Sequence, residues 1–176
     1  MVANSLGRLR QLAGLATYLA VLVLNAKGVA ALYWGKQQLL LYNDAYGLAL
    51  GDRHPRAFGQ PMREVLTDLA PVLSPQVAQV LATGEGFAIE NLSMIMRRHG
   101  RDEETIWTYS FSPVQGEEGG FAGILLLATE MTQQVLADRG RDRAEIARAL
   151  AVSQLLALNA QLEDEVNQRT ADRNRL

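Results

Sequence analysis

Apolar positions along the chain change their spacing repeatedly, and each change marks an element. From Leu6 to Asn25, Leu12, Leu15, Leu19 and Leu22 recur on one helical face, with Ala16 and Val23 beside them. The opposite side carries Ala13, Gly14, Thr17, Ala20, Val21 and Leu24, so this helix is apolar or small nearly all round. Such a helix must be covered on both sides. Its own domain covers one side, and the other predicts a dimer interface at Leu12, Leu15, Leu19 and Leu22. After Gly28 the pattern turns strand-like from Val29 to Trp34 and from Gln38 to Tyr42, with a turn at Gly35-Lys36. Short helical turns follow to Phe58, with Asn43 or Asp44 as the N-cap. One helix is predicted from Met62 to Leu69. Another is predicted to start at Ser74-Pro75, a cap with proline at the first helical position, and to end at Gly84.

Three longer strands come next, from Phe87 to Arg97, Glu104 to Val114 and Phe121 to Thr129, with turns at His99-Gly100-Arg101 and Gly116 to Gly120. In the second of them Trp107, Tyr109 and Phe111 alternate with Thr108, Ser110 and Ser112. One face is therefore aromatic and needs a core or cavity to fill. The other is small and hydroxylated, and the small side of the first helix suits it as a partner. No Pro follows Pro113 and no Gly follows Gly140, so the charge-rich end reads as one long helix. There Val152, Asn159 and Val166 recur every seven residues, with Leu155 and Leu162 three residues after the first two. These are a and d positions of a parallel two-stranded coiled coil, in which Asn159 fixes the register. A competing stripe of Ile146, Ala149, Ser153 and Leu156 lies on a neighbouring face.

Composition narrows the function. With 17 basic against 19 acidic residues, the chain has no basic excess to hold nucleic acid. The absence of Cys excludes disulfides, thiolate nucleophiles and thiolate metal sites. The uncharged run Gln11 to Ala26, which no other exceeds in length, is interrupted by Gln, Gly, Thr, Tyr and Asn. It falls short of the roughly 20 apolar residues that span a membrane. It also ends without a small-x-small cleavage site, so a buried helix of a cytoplasmic protein is expected. The acidic runs Asp102-Glu103-Glu104 and Glu117-Glu118 fall in turns, where solvated charge explains them, and Arg97-Arg98 reads as a solvated strand-end rim. No phosphate loop, Ser-His-Asp set or paired catalytic carboxylates stands out, so no catalysis and no metal site are expected of this chain.

The order of elements is helix, two strands, short helices, three strands, long helix. That order resembles the PAS sensor domain, and within it the PAS modules of bacterial hybrid and multi-domain sensor histidine kinases. The resemblance is carried by LLLYNDAYGLALGDRHPRAFGQPMREV from Leu39 and by ENLSMIMRRHGRDEETIWTYSFSPVQGEEGGFAGILLLATEMT from Glu90. The closing QLEDEVNQRTADRNRL resembles the linker helix that feeds a kinase's dimerisation and phosphoacceptor domain. Glu130-Met131-Thr132 stands where many PAS domains have Asp-Ile-Thr, and EVLTDL from Glu64 lacks a tryptophan often found there. The resemblance implies an α+β PAS fold: a five-stranded antiparallel sheet with short helices on one face. It divides the chain into a flanking helix over residues 1–27, a PAS domain over 28–132 and a signalling helix over 133–176.

It further implies a cavity between sheet and short helices, walled by Tyr42, Tyr46, Phe58, Leu66, Ile89, Met94, Trp107, Tyr109, Leu125 and Leu127. Each of these side chains can also be plain core. Glu130 and Thr132 are the implied points of signal transfer into the last helix. Light-sensing relatives need a cysteine near Met62 and an amide near Leu125, and this chain has neither. His54 and His99 do not match the helix position from which haem-binding relatives ligate iron, so both read as surface imidazoles. Neither flavin nor haem is expected, and an unidentified small ligand stays open. The function implied is a homodimeric sensory module passing a change to a kinase domain of the parent protein. A small-molecule-binding cup and a purely structural dimeriser are the alternatives.

Overall fold

The computed structural model describes residues 14–116 and 119–173. Its elements, in chain order, are α1 (Gly14–Asn25), β1 (Val29–Trp34), β2 (Leu39–Tyr42), α2 (Asp44–Leu50), a 3-10 turn (Gly51–Arg53), α3 (Met62–Val65), α4 (Ala70–Thr83), β3 (Phe87–Arg98), β4 (Arg101–Gln115), β5 (Phe121–Glu130) and α5 (Thr132–Arg173). The five strands form one antiparallel sheet in the order β2-β1-β5-β4-β3. This is the expected α+β PAS architecture. Two compact units divide the chain, one ending at Thr132 and the other starting at Gln133.

Within the first unit the sheet separates two apolar clusters. The larger lies under the short helices and collects Tyr33, Leu40, Tyr42, Tyr46, Leu66, Leu73, Val77, Trp107, Tyr109 and Phe111. The smaller lies on the other face, where Ala20 and Val23 of α1 meet Ala30, Leu32 and Leu41 of β1 and β2. A face of α1 drawn from both sides, Ala20 and Val23 with Leu19 and Leu24 beside them, therefore covers these two strands, and not the Ser/Thr face of β4 where the small side was expected. Ala30, Leu32 and Leu41 explain the choice, since an apolar patch gains more from cover than hydroxyls do. Leu19 is half-buried against this cluster, whereas Tyr18 and Leu22 face outward, Leu22 at 68% exposure. The expected interface residue Leu12 and the side chain of Leu15 lie outside the described residues.

Asn43 locks the junction between the two clusters. As N-cap of α2 it accepts the Tyr46 amide at 3.0 Å and the Ala30 amide at 3.3 Å. Its Nδ2 donates to the carbonyls of Ala26 and Gly28 at 2.9 and 2.6 Å. All four of its side-chain hydrogen-bonding sites are thereby engaged inside the protein, as a side chain only 3% exposed requires.

The helices between β2 and β3 depart from expectation. Instead of one helix from Met62 to Leu69, α3 stops at Val65, and α4 begins at Ala70, ahead of Ser74. Leu69, Leu73, Val77 and Val80 are buried at spacings of four and three residues, one continuous face. Burial of that face carries the helix through Pro75, which lies inside it, while Pro71 sits in its first turn. Between α3 and α4, Asp68 takes a bidentate pair from Arg53 at 2.8 and 2.7 Å and accepts the Arg97 amide at 2.7 Å. Burial opposes its charge, but the hydrogen bonds from Arg53 and Arg97 outweigh it and hold the carboxyl below its ordinary range. Arg53 also donates to the Arg97 carbonyl, so the helical layer is clipped to the end of β3.

The second unit is helical through Arg173, and Val152, Leu155, Asn159, Leu162 and Val166 are all exposed on it. The neighbouring Ile146, Leu150, Leu156 and Leu158 are exposed as well. Among the described residues this helix shows no cover for an apolar seam of this length.

Candidate functional site

The aromatic alternation of β4 places Trp107, Tyr109 and Phe111 on the inner face of the sheet, all at most 5% exposed. Between this face and the helices is an apolar cavity of about 50 Å³. Its walls are Tyr33, Val29, Leu126 and Ala128 from the sheet, Tyr46, Ala49 and Leu50 from α2, and Leu69 and Leu73 at the start of α4. Met94, Met96, Trp107 and Tyr109 close it from β3 and β4.

Of the ten expected wall residues, Tyr46, Met94, Trp107 and Tyr109 line this space. Tyr42, Leu66, Phe58 and Ile89 pack in or against the same core without lining it. Tyr42 is turned away to His54, bonding Nδ1 at 3.1 Å, and it stacks edge-on with Phe58. Burial pushes the Tyr42 hydroxyl up to about 12, so it stays neutral in this bond. His54 is a half-buried structural partner of Tyr42 and not a surface imidazole. Leu125 and Leu127 are a correction: both point to the opposite face of β5. Leu125 joins the α1 cluster there, and Leu127 is 49% exposed. The walls contributed by β5 are their neighbours Leu126 and Ala128, because side chains alternate faces along a strand. On β3 a bulge between Ile89 and Leu92, with Asn91 at φ 52°, resets the alternation. It turns Leu92, Met94 and Met96 inward beyond it.

The cavity's polar groups are few. Tyr33 and Tyr46 share a hydroxyl hydrogen bond of 3.2 Å, and Tyr109 donates to Gln76 of α4 at 2.7 Å. Burial raises all three phenols, Tyr46 to about 12, so the chamber holds no charge at any ordinary pH. Trp107 differs: its Nε1–H is buried without a partner. Leaving such a donor unpaired costs about 1–3 kcal/mol.

Directly behind Trp107 lies the start of α5. Ile106, its neighbour on β4, donates its amide to Thr132 Oγ1 at 2.9 Å and accepts the Met131 amide at 2.7 Å. Thr132 in turn donates to Glu130 at 2.9 Å. Glu130, which pairs in register with Trp107, holds Arg98 bidentately at 3.0 and 2.8 Å. Those bonds keep its carboxyl below the ordinary range against partial burial. Arg98 also bonds Glu103 at 2.8 Å. Arg98 and Glu103, expected as a solvated rim and a solvated turn, are thus partners in a clasp around residues 130–132. The sequence offered no signal for this pairing beyond the adjacency of opposite charges across the β3–β4 turn. His99, in that turn, lies 3.7 Å from Asp52. Among the described residues no three acidic or histidine side chains converge on a common point.

An antiparallel sheet in this strand order, roofed by short helices over an apolar chamber, defines an α+β sensor fold. The chain belongs to the PAS fold family, whose model matches residues 28–136. Among solved structures, the PAS domain of Bordetella pertussis BvgS is similar with a TM-score of 0.52 and 18% identity over 74% of this chain and 96% of that one. An RNA-binding light-oxygen-voltage receptor is similar at TM-score 0.52 and 16% identity over 74% of this chain, which spans only 36% of that receptor. The phage VqmA–DPO complex is similar at 0.51 and 16%, over 73% and 58% of the two chains. At these identities the likenesses show the fold alone. No curated protein matches the sequence. No helix among the described residues is long and apolar enough to cross a membrane.

Proposed function

We propose that this chain is the sensory and dimerisation module of a cytoplasmic two-component histidine kinase. A ligand or interaction at the PAS domain shifts the pairing of two α5 helices, and that shift reaches a kinase core carried elsewhere in the parent protein. The observation that supports this reading best is the position of Ile106. Both of its main-chain groups bond the start of α5, and the next residue, Trp107, walls the cavity. A change in the chamber thus acts one residue from the output helix. A ligand drives such a switch only by binding two arrangements differently. Parallel pairing is supported by the exposed Val152, Asn159 and Val166 at a and Leu155 and Leu162 at d, with β-branched residues at a and Leu at d favouring two strands.

Single cysteines at Val152, Leu155, Leu162 and Glu163 test the reading. Crosslinking between copies is expected at the first three and not at Glu163. Adding Thr132→Val, which removes the hydroxyl bonded to Ile106 and Glu130, is expected to change the relative yields. Equal crosslinking at all four sites would rule out a parallel pair. A pattern unchanged by Thr132→Val would rule out a relay through the clasp.

A further inference from the structure

Trp107 is the polar exception on an apolar wall. The residue is 5% exposed, it lines the cavity, and its Nε1–H has no partner. An indole nitrogen donates and never accepts, so its complement is an acceptor. The other polar groups do not supply one. The Tyr109 hydroxyl is engaged with Gln76, and the Tyr33 and Tyr46 hydroxyls bond each other. In that pair one hydroxyl hydrogen makes the shared bond and the other is left over, a second donor in the same chamber. No acidic or basic side chain lines the space. An ion entering it would be stripped of water without compensation.

Size sets a further bound. The volume of about 50 Å³ is well below the roughly 150 Å³ of a dry cavity that admits benzene. Two methionines, Met94 and Met96, form part of the wall, and their unbranched side chains repack readily. A single ring is thus the upper limit, reached when the methionines withdraw.

We propose that the cavity takes a small neutral molecule, no larger than one ring and apolar over most of its surface. A carbonyl oxygen or ring nitrogen of that molecule accepts the hydrogen bond of Trp107 Nε1–H. This rests on the sensor reading above and adds the class of ligand. It also names Trp107 as the group through which the ligand bears on the clasp, since Trp107 pairs with Glu130 and adjoins Ile106.

The test uses the full chain, labelled with ¹⁵N, and two isosteric probes at pH 8: pyridine, which carries a ring acceptor, and benzene, which does not. The chain has two tryptophans, so Trp34→Phe assigns the two indole signals. Pyridine is expected to move the Trp107 Nε1–H resonance downfield, and benzene to leave it in place. The ratio of pyridine to benzene affinity is expected to fall about tenfold in Trp107→Phe, equivalent to about 1.4 kcal/mol. Comparing ratios cancels the different hydration of the two probes. The shift in the unaltered protein decides the matter even where the variant folds poorly. Saturable binding of both probes with an unmoved Trp107 resonance would overturn the acceptor assignment and leave the sensory cavity standing. No saturable binding of either probe, with the Leu126 and Ala128 signals unmoved, would overturn both. A resident water at Trp107 Nε1 that pyridine does not displace would also overturn the assignment.

Discussion

Glu130 does two jobs with one carboxylate, accepting two bonds from Arg98 and one from Thr132. Because its pKa is lowered in the folded protein, its contribution to stability is complete above the ordinary value of 4.5. That contribution is lost as pH falls through the depressed value. Glu130→Gln should therefore lower stability at pH 7 by about 1–2 kcal/mol, a charge-assisted bond discounted for partial exposure. Urea midpoints at pH 7 and near pH 3 check this: the gap between them should be smaller in the variant. Asp68 retains its own acid sensitivity, so the gap should shrink without closing. At this scale the sequence was uneven. Glu130 and Thr132 are readable from the place of their tripeptide, where many relatives have Asp-Ile-Thr, and Asn43 from its place before a helix. Arg98 and the second role of Asn43 are not, since both depend on carbonyls and carboxylates brought near by folding alone.

Elements were easiest to read where only one face is buried. In β4 the bulky and hydroxyl residues alternate, and Trp107, Tyr109 and Phe111 turn inward. In β5 the run Ile124 to Ala128 is apolar at every position. One face fills the cavity and the other meets α1 at Leu125, so no alternation marks which is which. The break between α3 and α4 was hidden for a related reason, because Pro75 gives a start signal that the buried face from Leu69 overrides. The centre of the sheet has one close approach that sequence cannot reveal. A Cβ on Gly123 would come 2.5 Å from the Tyr33 carbonyl oxygen, a main-chain atom that cannot swing aside. Gly123→Ala should push β1 and β5 apart and cost about 1–3 kcal/mol. The readout is a lowered urea midpoint with added amide exchange at Tyr33 and Trp34.

For the molecule as a whole, the open question is what covers the outward side of α1. Its inner side is satisfied by Ala30, Leu32 and Leu41, while Tyr18 and Leu22 are 75% and 68% exposed. We propose that a second copy covers them, as the all-round apolar pattern of the helix implies. Leu22→Glu touches none of the chain's own core, so the circular dichroism spectrum should be unchanged while dimer dissociation rises at least about tenfold. Burying one Leu side chain is worth roughly 1.5–3 kcal/mol, enough for that effect. Sedimentation at several concentrations measures it, and an unchanged dissociation constant would assign the outward side to another partner.

The link between the sheet and α5 has a genetic corollary. At Ile106 and Met131 it is made by peptide groups, which every residue except proline supplies. Selection therefore cannot hold those two positions through these bonds; Ile106, buried in the core, is held by its packing instead, and only the half-buried Met131 is open to wide variation. Thr132, Glu130 and Arg98 contribute to the junction's hydrogen bonds through their side chains. In a library saturating these five positions and scored for signalling, Thr132, Glu130 and Arg98 should accept few replacements, Ile106 only apolar ones and Met131 most, with proline lost at both 106 and 131.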